Sequence, residues 1–212
     1  MIDVTVAMHR NMVVWPGDPP FSEEFISDLA EGAHAAVRRL SFSTHTGTHL
    51  DAPSHFIHEG GGVDSVPLSS LMGPVTVIDT GNVESITGKD LERWMPQAVP
   101  SRILFKTRNS DRQIIDQPIF IEDFVALEES AAHWLIEHHV TTVGIDYFSI
   151  EPFHNPGYPV HHILLKNATA VIEGLRLIGV EPGVYRLVAL PLRVQGLDGS
   201  PMRVILENFV KE

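Results

Sequence analysis

Residues 37–55 read VRRLSFSTHTGTHLDAPSH, and the two parts of this stretch follow different patterns. In residues 37–44, Leu40 and Phe42 alternate with polar side chains, which predicts a strand with those two side chains facing the core. Residues 45–55 are rich in Thr, Gly and Pro, which are poor helix formers, so extended or turning backbone is expected there. The stretch therefore predicts a strand that leads into a histidine-rich segment.

Strand patterns outnumber helical patterns in the rest of the chain. The expected strands are 2–7, 74–80, 102–107, 140–146, 169–175, 184–190 and 203–209. The expected helices are 87–94, which follows the capping residue Thr87, and 122–138, which is the longest. No repeat or long linker divides the chain. Residues 1–212 are therefore expected to form a single compact α/β domain (mixed α+β), built on a mixed sheet with flanking helices.

The composition is that of an ordinary globular protein. Of its 212 residues 43% are hydrophobic and 20% are charged, and the mean hydropathy is +0.05. A domain of this size can fold without a disulfide or a structural metal, so a metal here would serve chemistry. The absence of cysteine excludes disulfides, thiolate zinc sites, iron–sulfur clusters and a cysteine nucleophile.

Charge restricts the partners that the chain is expected to have. The sequence has 15 Lys and Arg residues against 27 Asp and Glu, a net charge of −12, and contains no basic run. Nucleic acid and anionic membranes are therefore not expected as partners. Charged residues come too early for a signal peptide, and no apolar stretch approaches the length of about 18 residues that a membrane span requires. A cytoplasmic location is expected.

Histidine is the residue type in excess, with 12 copies, and three of these lie in the segment His45–His55. In extended backbone His45, His49 and Asp51 have the same parity and project from one face. Gly47, of that parity too, would leave room for an ion and its bound water. Nitrogen and oxygen donors without sulfur suit Zn²⁺ or Mn²⁺ better than Mg²⁺ or Ca²⁺. One HxxxH spacing is more often formed by surface or core histidines, but the added carboxylate favours a metal site.

The segment HTGTHLDAPSH resembles the HxGTHxDxPxH signature of the cyclase family of metal-dependent hydrolases, which includes bacterial kynurenine formamidases. The resemblance extends over most of the chain, and its parts follow the family's order. Besides the signature, it rests on Trp15–Asp18, Gly144–Asp146 with Ser149, Val160–His162, Ile172–Leu175, Ala189–Pro191 and Gly199–Arg203.

The resemblance implies a metal centre beside a catalytic acid/base, which would be His55. It implies up to two divalent ions per chain, with Zn²⁺ expected and Mn²⁺ as the alternative. The implied ligands are His45, His49 and Asp51 for one ion, and Asp51, His161 and Glu173 for a second. The resemblance also implies a compact fold with a central, barrel-like sheet, and assembly as a homodimer or higher homo-oligomer.

The second half of the chain contributes its own signal at Glu173, which interrupts the apolar run 170–175. A carboxylate in a buried strand requires a partner, although Glu173 could instead face solvent or pair with Arg176. Spacing alone does not separate His161 from His162, because neighbouring strand residues point in opposite directions. The family pattern selects His161, which leaves His162 as a supporting or core histidine.

The resemblance implies metal-dependent hydrolysis of a small-molecule amide, an aryl formamide such as N-formylkynurenine, to kynurenine and formate in tryptophan catabolism. A metal-activated water would attack the carbonyl, and His55 would carry a proton to the leaving nitrogen. Trp15 lies in the proline-rich segment 15–20, which is expected to hold it against the substrate ring. A tryptophan of the core or of an interface is the alternative.

Two other interpretations of the function stay open. Thr48 and Phe56 stand where the family's formamidases tend to have alanine and tyrosine, so another small linear or cyclic amide, such as an isatin-like ring, is a second candidate substrate. A non-catalytic metal-binding oligomer is the third interpretation. Gly60–Gly62 predicts a flexible turn beside the site, and the histidines expected at the surface or in loops are His58, His138, His139 and His154.

Overall fold

The structure, a computed structural model, describes residues 1–208. The strands are β1 (Ile2–Asp3), β2 (Ser22–Ser27), β3 (Val37–Ser41), β4 (His49–Asp51), β5 (Met72–Asp79), β6 (Arg102–Lys106), β7 (Thr142–Ile145), β8 (Ala170–Glu173), β9 (Gly183–Pro191) and β10 (Gly199–Asn208). The helices are α1 (Leu68–Leu71), α2 (Gly88–Trp94), α3 (Arg108–Asp111), α4 (Glu129–Glu137) and α5 (Pro159–Lys166). Among the described residues, no helix has the length and apolar character that a membrane span needs.

Seven strands close into a barrel. Their order is β10, β4, β8, β7, β6, β5, β9, and β9 pairs again with β10. The strands β5, β6, β7 and β8 run parallel to one another, whereas the other pairs are antiparallel. β1 extends the sheet beside β10. The expectation of a mixed, barrel-like sheet with flanking helices is confirmed.

The alternation of side chains along each strand produces two apolar cores. On β6, Leu104 belongs to the cluster inside the barrel, whereas its neighbours Ile103 and Phe105 belong to a second cluster outside it. On β8, Ile172 and Val171 divide in the same way. The outer cluster lies under α2, α4 and α5, so these parallel strands are buried on both faces, as parallel strands usually are.

The β2–β3 hairpin lies outside the barrel, and the orientation predicted for residues 37–44 is wrong. Leu40 is 54% exposed. Phe42 is half-buried and stacks on Phe21 with ring centroids 6.1 Å apart, beyond the end of β3. Alternation predicts which side chains share a face of a strand, but it does not predict what that face packs against.

The helix predicted over 122–138 begins only at Glu129. The residues before it are extended: Leu127 forms a parallel bridge with Ile86, and its N–H donates to the Ile150 carbonyl at 2.8 Å. These contacts join parts of the chain that are far apart in sequence, so they override the helical spacing of the local apolar residues.

The other predicted elements differ from the observed ones mainly near their ends. The helix over 87–94 is confirmed, and the Thr87 side chain accepts from an N–H of its first turn. The strand over 2–7 is reduced to the two residues of β1. The strand predicted over 203–209 is part of the longer β10, and its last residue, Phe209, lies outside the described residues.

Candidate metal centre and active site

Strands β4 and β8 place three polar side chains on the outer face of the barrel. The two strands are antiparallel, with His49 opposite Glu173. Leu50 and Ile172 belong to the core inside the barrel. Because side chains alternate, His49, Asp51 and Glu173 project from the other face, where all three are buried.

Helix α5 lies against β8 and adds a second histidine to this face. His161 is buried, and its Nε2 lies 3.1 Å from Glu173 Oε1 and 3.8 Å from Asp51 Oδ2. His162, the next residue of the helix, is exposed. Helical geometry therefore separates the two histidines. His162 is not a core residue, and its ring centroid lies 5.5 Å from that of Phe56.

Turns on either side of β4 bring His45 and His55 to the same place. His45 precedes the strand, and its Nδ1 lies 2.9 Å from Asp51 Oδ1. His55 ends the short 3₁₀ turn Pro53–His55 that follows the strand, and its ring stacks on His45 with centroids 3.9 Å apart. Residues 42–48 are not part of a strand, so a turn, and not strand parity, positions His45.

The donor atoms converge as a cation site requires. His49 Nε2 lies 3.4 Å from Asp51 Oδ1 and 3.4 Å from Glu173 Oε2. Asp51 Oδ2 is buried and has no hydrogen-bond partner among residues 1–208, and such an oxygen requires a cation nearby. Two groups of donors are close enough to hold an ion, namely His49, Asp51 and Glu173, and His45, Asp51 and His55. These residues fit a divalent metal.

The histidines are held by partners on their remaining ring nitrogens. His161 Nδ1 lies 2.6 Å from the buried carboxylate of Glu151. His45 Nε2 lies 3.0 Å from Asp198 Oδ2. A partner of this kind selects the ring tautomer and fixes the direction in which the other nitrogen points.

Gly47 has a different role from the predicted one. Its carbonyl accepts a hydrogen bond from His49 Nδ1 at 2.9 Å, which leaves Nε2 of that ring facing the carboxylates. A Cβ on Gly47 would lie 3.3 Å from Met12 Cε, so the space beside this glycine is filled by protein. Gly47 also has φ +69°, a conformation that favours glycine.

Two other glycines allow the segments around the site to approach one another. A Cβ on Gly174 would lie 2.2 Å from the Gly47 carbonyl oxygen, and one on Gly199 would lie 2.5 Å from the His45 ring. The flexible turn predicted at Gly60–Gly62 packs closely against the turn that carries His55, because a Cβ on Gly60 would lie 2.6 Å from the Pro53 backbone.

Electrostatics distinguish the half-buried His55 from the buried histidines His49 and His161. Burial lowers the pKa of His49, but hydrogen bonds to Asp51 and Glu173 outweigh burial and raise this pKa to about 10. The same balance, with two buried glutamates, raises the pKa of His161 to about 10. At His55 burial dominates and lowers the pKa. In the metal-free protein His55 is thus a neutral imidazole that can accept a proton.

The site opens into a pocket of about 280 Å³ with aromatic walls. The aromatic side chains that line it are Trp15, Phe56, Phe148 and Tyr158. The Trp15 ring also packs against Phe120 and Phe153, with centroid distances of 5.2 Å to each. Trp15 therefore packs in an aromatic cluster and also lines the pocket.

Comparison with known proteins assigns this arrangement to a family. The profile of the family described as "Putative cyclase" matches residues 2–152, which contain the signature at 45–55. The chain belongs to the cyclase family. The expectation of a hydrolase that acts on a carbon–nitrogen bond other than a peptide bond is confirmed.

Cyclase-family relatives match nearly the whole chain. Kynurenine formamidase of Bacillus cereus (strain ATCC 10987 / NRS 248) is 36% identical over 205 residues, which cover 97% of this chain and 96% of the relative. A solved structure from Bacillus stearothermophilus, described as a predicted metal-dependent hydrolase, is 34% identical with a TM-score of 0.82, covering 97% of this chain and 96% of that one. Isatin hydrolase A from Labrenzia aggregata is 26% identical with a TM-score of 0.82, covering 97% and 92%.

Two carboxylates of this cyclase-family site, Glu151 and Asp198, are not found by the sequence analysis. Glu151 is a lone charge in the run YFSIEPF (147–153), which is the signal that singled out Glu173. Asp198 lies in a loop before β10 and carries no such signal, because its side chain is partly exposed. The histidines expected outside the site are exposed, as predicted; they are His58, His138, His139 and His154.

Proposed function

We propose that this chain hydrolyses an aryl formamide to an aryl amine and formate, with N-formylkynurenine as the leading substrate. The observation that carries the proposal is a single pocket that joins a buried cation site, a neutral His55 and an aromatic wall that includes Trp15. The similarity to the Bacillus cereus kynurenine formamidase supports the same activity. We assign that activity to tryptophan catabolism.

We assign the metal ligands as two sets that share Asp51. The sets are His45, His49 and Asp51, and Asp51, His161 and Glu173. The unpartnered Asp51 Oδ2 supports a cation at the shared position. Zn²⁺ is favoured and Mn²⁺ is the alternative, because both accept nitrogen and oxygen donors without sulfur. A bound divalent ion supplies Lewis-acid polarisation of a carbonyl and lowers the pKa of water from about 15.7 to near 7.

His55 is assigned the proton transfers. In the hydrolysis a water oxygen forms a bond to the formyl carbon, and the bond between that carbon and the nitrogen breaks. The water proton goes first to His55, whose lowered pKa keeps the ring neutral and able to accept it. His55 then gives the proton to the departing nitrogen, so that the aryl amine leaves as a neutral molecule.

The aromatic walls are assigned to substrate binding. Trp15 is braced by Phe120 and Phe153, so it offers a rigid surface on which an aromatic ring can stack. A small cyclic amide fused to an aromatic ring is the second candidate substrate, because the fold of isatin hydrolase A matches this chain with a TM-score of 0.82 at 26% identity.

We further propose that the chain assembles as a homodimer in the cytoplasm. Every residue of β3 is exposed, and a two-stranded hairpin is marginally stable without a packing partner. The exposed apolar side chains of the hairpin include Phe25, Val37 and Leu40, which a second copy could cover. Light scattering should give the mass of a dimer for the wild type, and Leu40→Glu should shift it toward that of a monomer.

Elemental analysis and an amide panel test the proposed function. The wild type should retain a divalent metal after dialysis and hydrolyse N-formylkynurenine. Asp51→Ala should lose both the metal and the activity, because the shared ligand is removed. His138→Ala, at an exposed position, is the matched control and should change neither. Fast hydrolysis of a cyclic or non-aryl amide alongside negligible hydrolysis of N-formylkynurenine would refute the formamidase assignment, and an active, metal-free Asp51→Ala protein would refute the metal site.

A further inference from the structure

Asp18 lines the pocket beside Trp15 but takes no part in the cation site. Its side chain is partly buried, and its carboxylate has no hydrogen bond or ion pair within residues 1–208. The other acidic group in the pocket wall, Glu173, lies within 3.4 Å of two histidines. Asp18 therefore stands out as a charged group that the mechanism leaves unused.

The charges of the pocket wall favour a cation next to Asp18. Within the described part of the chain, no Lys or Arg side chain lines the pocket. Asp51 and Glu173 each lie within 3.4 Å of histidine ring nitrogens, at the place where the donor atoms of the cation site converge. The charge of Asp18 has no such partner among residues 1–208, so a positive group of a ligand would gain from lying beside it.

The turn 15–18 holds this carboxylate next to the aromatic surface. The Asp18 N–H donates to the Trp15 carbonyl at 3.0 Å, and Gly17 has φ +99°. Pro16 followed by a glycine with positive φ is the sequence of a type II turn, in which the end residues face each other. The turn therefore presents a flat aromatic ring and a carboxylate from one short segment. An aromatic molecule with an amino substituent can stack on the ring and place its amino group beside the carboxylate.

We infer that Asp18 is a specificity residue that binds an ammonium group of the substrate, so that the preferred substrates are aryl amides bearing an aliphatic amine. The inference rests on the proposed function and narrows its substrate class. N-formylkynurenine has such a group on the side chain of its ring. Its deamino analogue, 4-(2-formamidophenyl)-4-oxobutanoate, keeps the formamide, the ring and the carboxylate but lacks the ammonium.

Kinetics with these two formamides test the inference. The wild type should prefer N-formylkynurenine by about tenfold or more in kcat/KM, mainly through KM, since a hydrogen bond between charged groups at a partly buried position is of this order. Asp18→Asn should reduce the preference by about the same factor. Asp111→Asn removes an exposed carboxylate outside the pocket and should keep the wild-type preference.

Calorimetric binding of the products to the metal-free protein separates the inference from the proposed function. Kynurenine should bind more tightly than its deamino analogue, and Asp18→Asn should remove the difference. Equal loss of activity on both formamides in Asp18→Asn, with the preference retained, would overturn the inference and leave a structural role for Asp18 in the turn. If neither formamide is hydrolysed, the proposed function fails; the binding difference then still decides whether Asp18 recognises a cationic amine.

Discussion

Replacing Glu151 with Gln should weaken metal binding and destabilise the metal-free protein at the same time. The Glu151 carboxylate is only 1% exposed and accepts four hydrogen bonds. Oε1 accepts from Asn155 Nδ2 at 2.6 Å and from the Val160 N–H at 3.1 Å. Oε2 accepts from the N–H of His161 at 3.1 Å and from Nδ1 of its ring at 2.6 Å. One side chain therefore caps the start of α5 and orients a proposed metal ligand.

The size of the effect follows from the loss of one acceptor oxygen. Gln has the same length as Glu, but its amide nitrogen cannot accept a hydrogen bond. The two donors that face the replaced oxygen therefore lose their acceptor. Each buried donor left without a partner costs about 1–3 kcal/mol, and loss of the negative charge at the helix N-terminus costs about 0.3–1 kcal/mol. The unfolding free energy of the metal-free protein should fall by about 2–7 kcal/mol, and a misoriented His161 should weaken metal binding by about 10- to 100-fold.

Two measurements check this prediction. Competition with a chelator gives the metal affinity, and urea unfolding of the metal-free protein gives the stability. Glu122→Gln makes the same chemical change at an exposed carboxylate that lies 3.2 Å from His154, and it should affect neither quantity. If Glu151→Gln loses stability while it retains wild-type metal affinity, Glu151 serves only as a helix cap and the reasoning about His161 is wrong.

Three further predictions concern the same centre. His55→Ala should retain its metal while kcat falls by about 10²- to 10⁴-fold, and parallel loss of metal in dialysed samples would make His55 a ligand. In the metal-free protein the pKa values of His49 and His161 are raised to about 10. The stability that these two histidines contribute is therefore complete below the ordinary histidine pKa of 6.5, and it is lost as pH rises through about 10. Metal affinity should rise over the same interval because ions displace protons, and calorimetry in buffers of different ionisation enthalpy should detect the released protons; a pH-independent affinity would contradict the assignment. Gly174→Ala should destabilise the fold by more than about 1 kcal/mol, since its Cβ would lie 2.2 Å from the Gly47 oxygen at φ +68°, and a wild-type urea midpoint would contradict the described packing.

The barrel strands could be predicted because their signal is local. Residues 74–80 and 102–107 contain β-branched and apolar side chains, and observed strands lie at both places. The first residues of 122–138 show the limit of this approach. The Leu127 N–H donates to the Ile150 carbonyl, and the Glu128 N–H on the next residue donates to the Ile86 carbonyl. A local pattern of apolar residues does not record such distant partners.

The chemistry of the candidate site could be predicted where its residues are adjacent in sequence. The signature at 45–55 contains imidazoles and a carboxylate in one short segment, so their chemical types indicate a metal before any fold is known. Glu173 could be singled out because a carboxylate within an apolar run needs a partner. Glu151 gives the same signal, yet its task of holding His161 becomes evident only from the 2.6 Å contact.

The sequence by itself determined the types of donor atom, the strand-rich composition of the domain and the proline-rich segment 15–20 that carries Trp15 and Asp18. Spacing alone did not separate His161 from His162, and the family resemblance selected His161; the tertiary structure gives the physical reason, because α5 is a helix that lies against β8. Only the tertiary structure placed Asp198 beside His45, although 153 residues separate them. The physical reason is that dihedral preferences and side-chain periodicity act over a few residues, whereas the closure of the barrel sets which distant side chains meet.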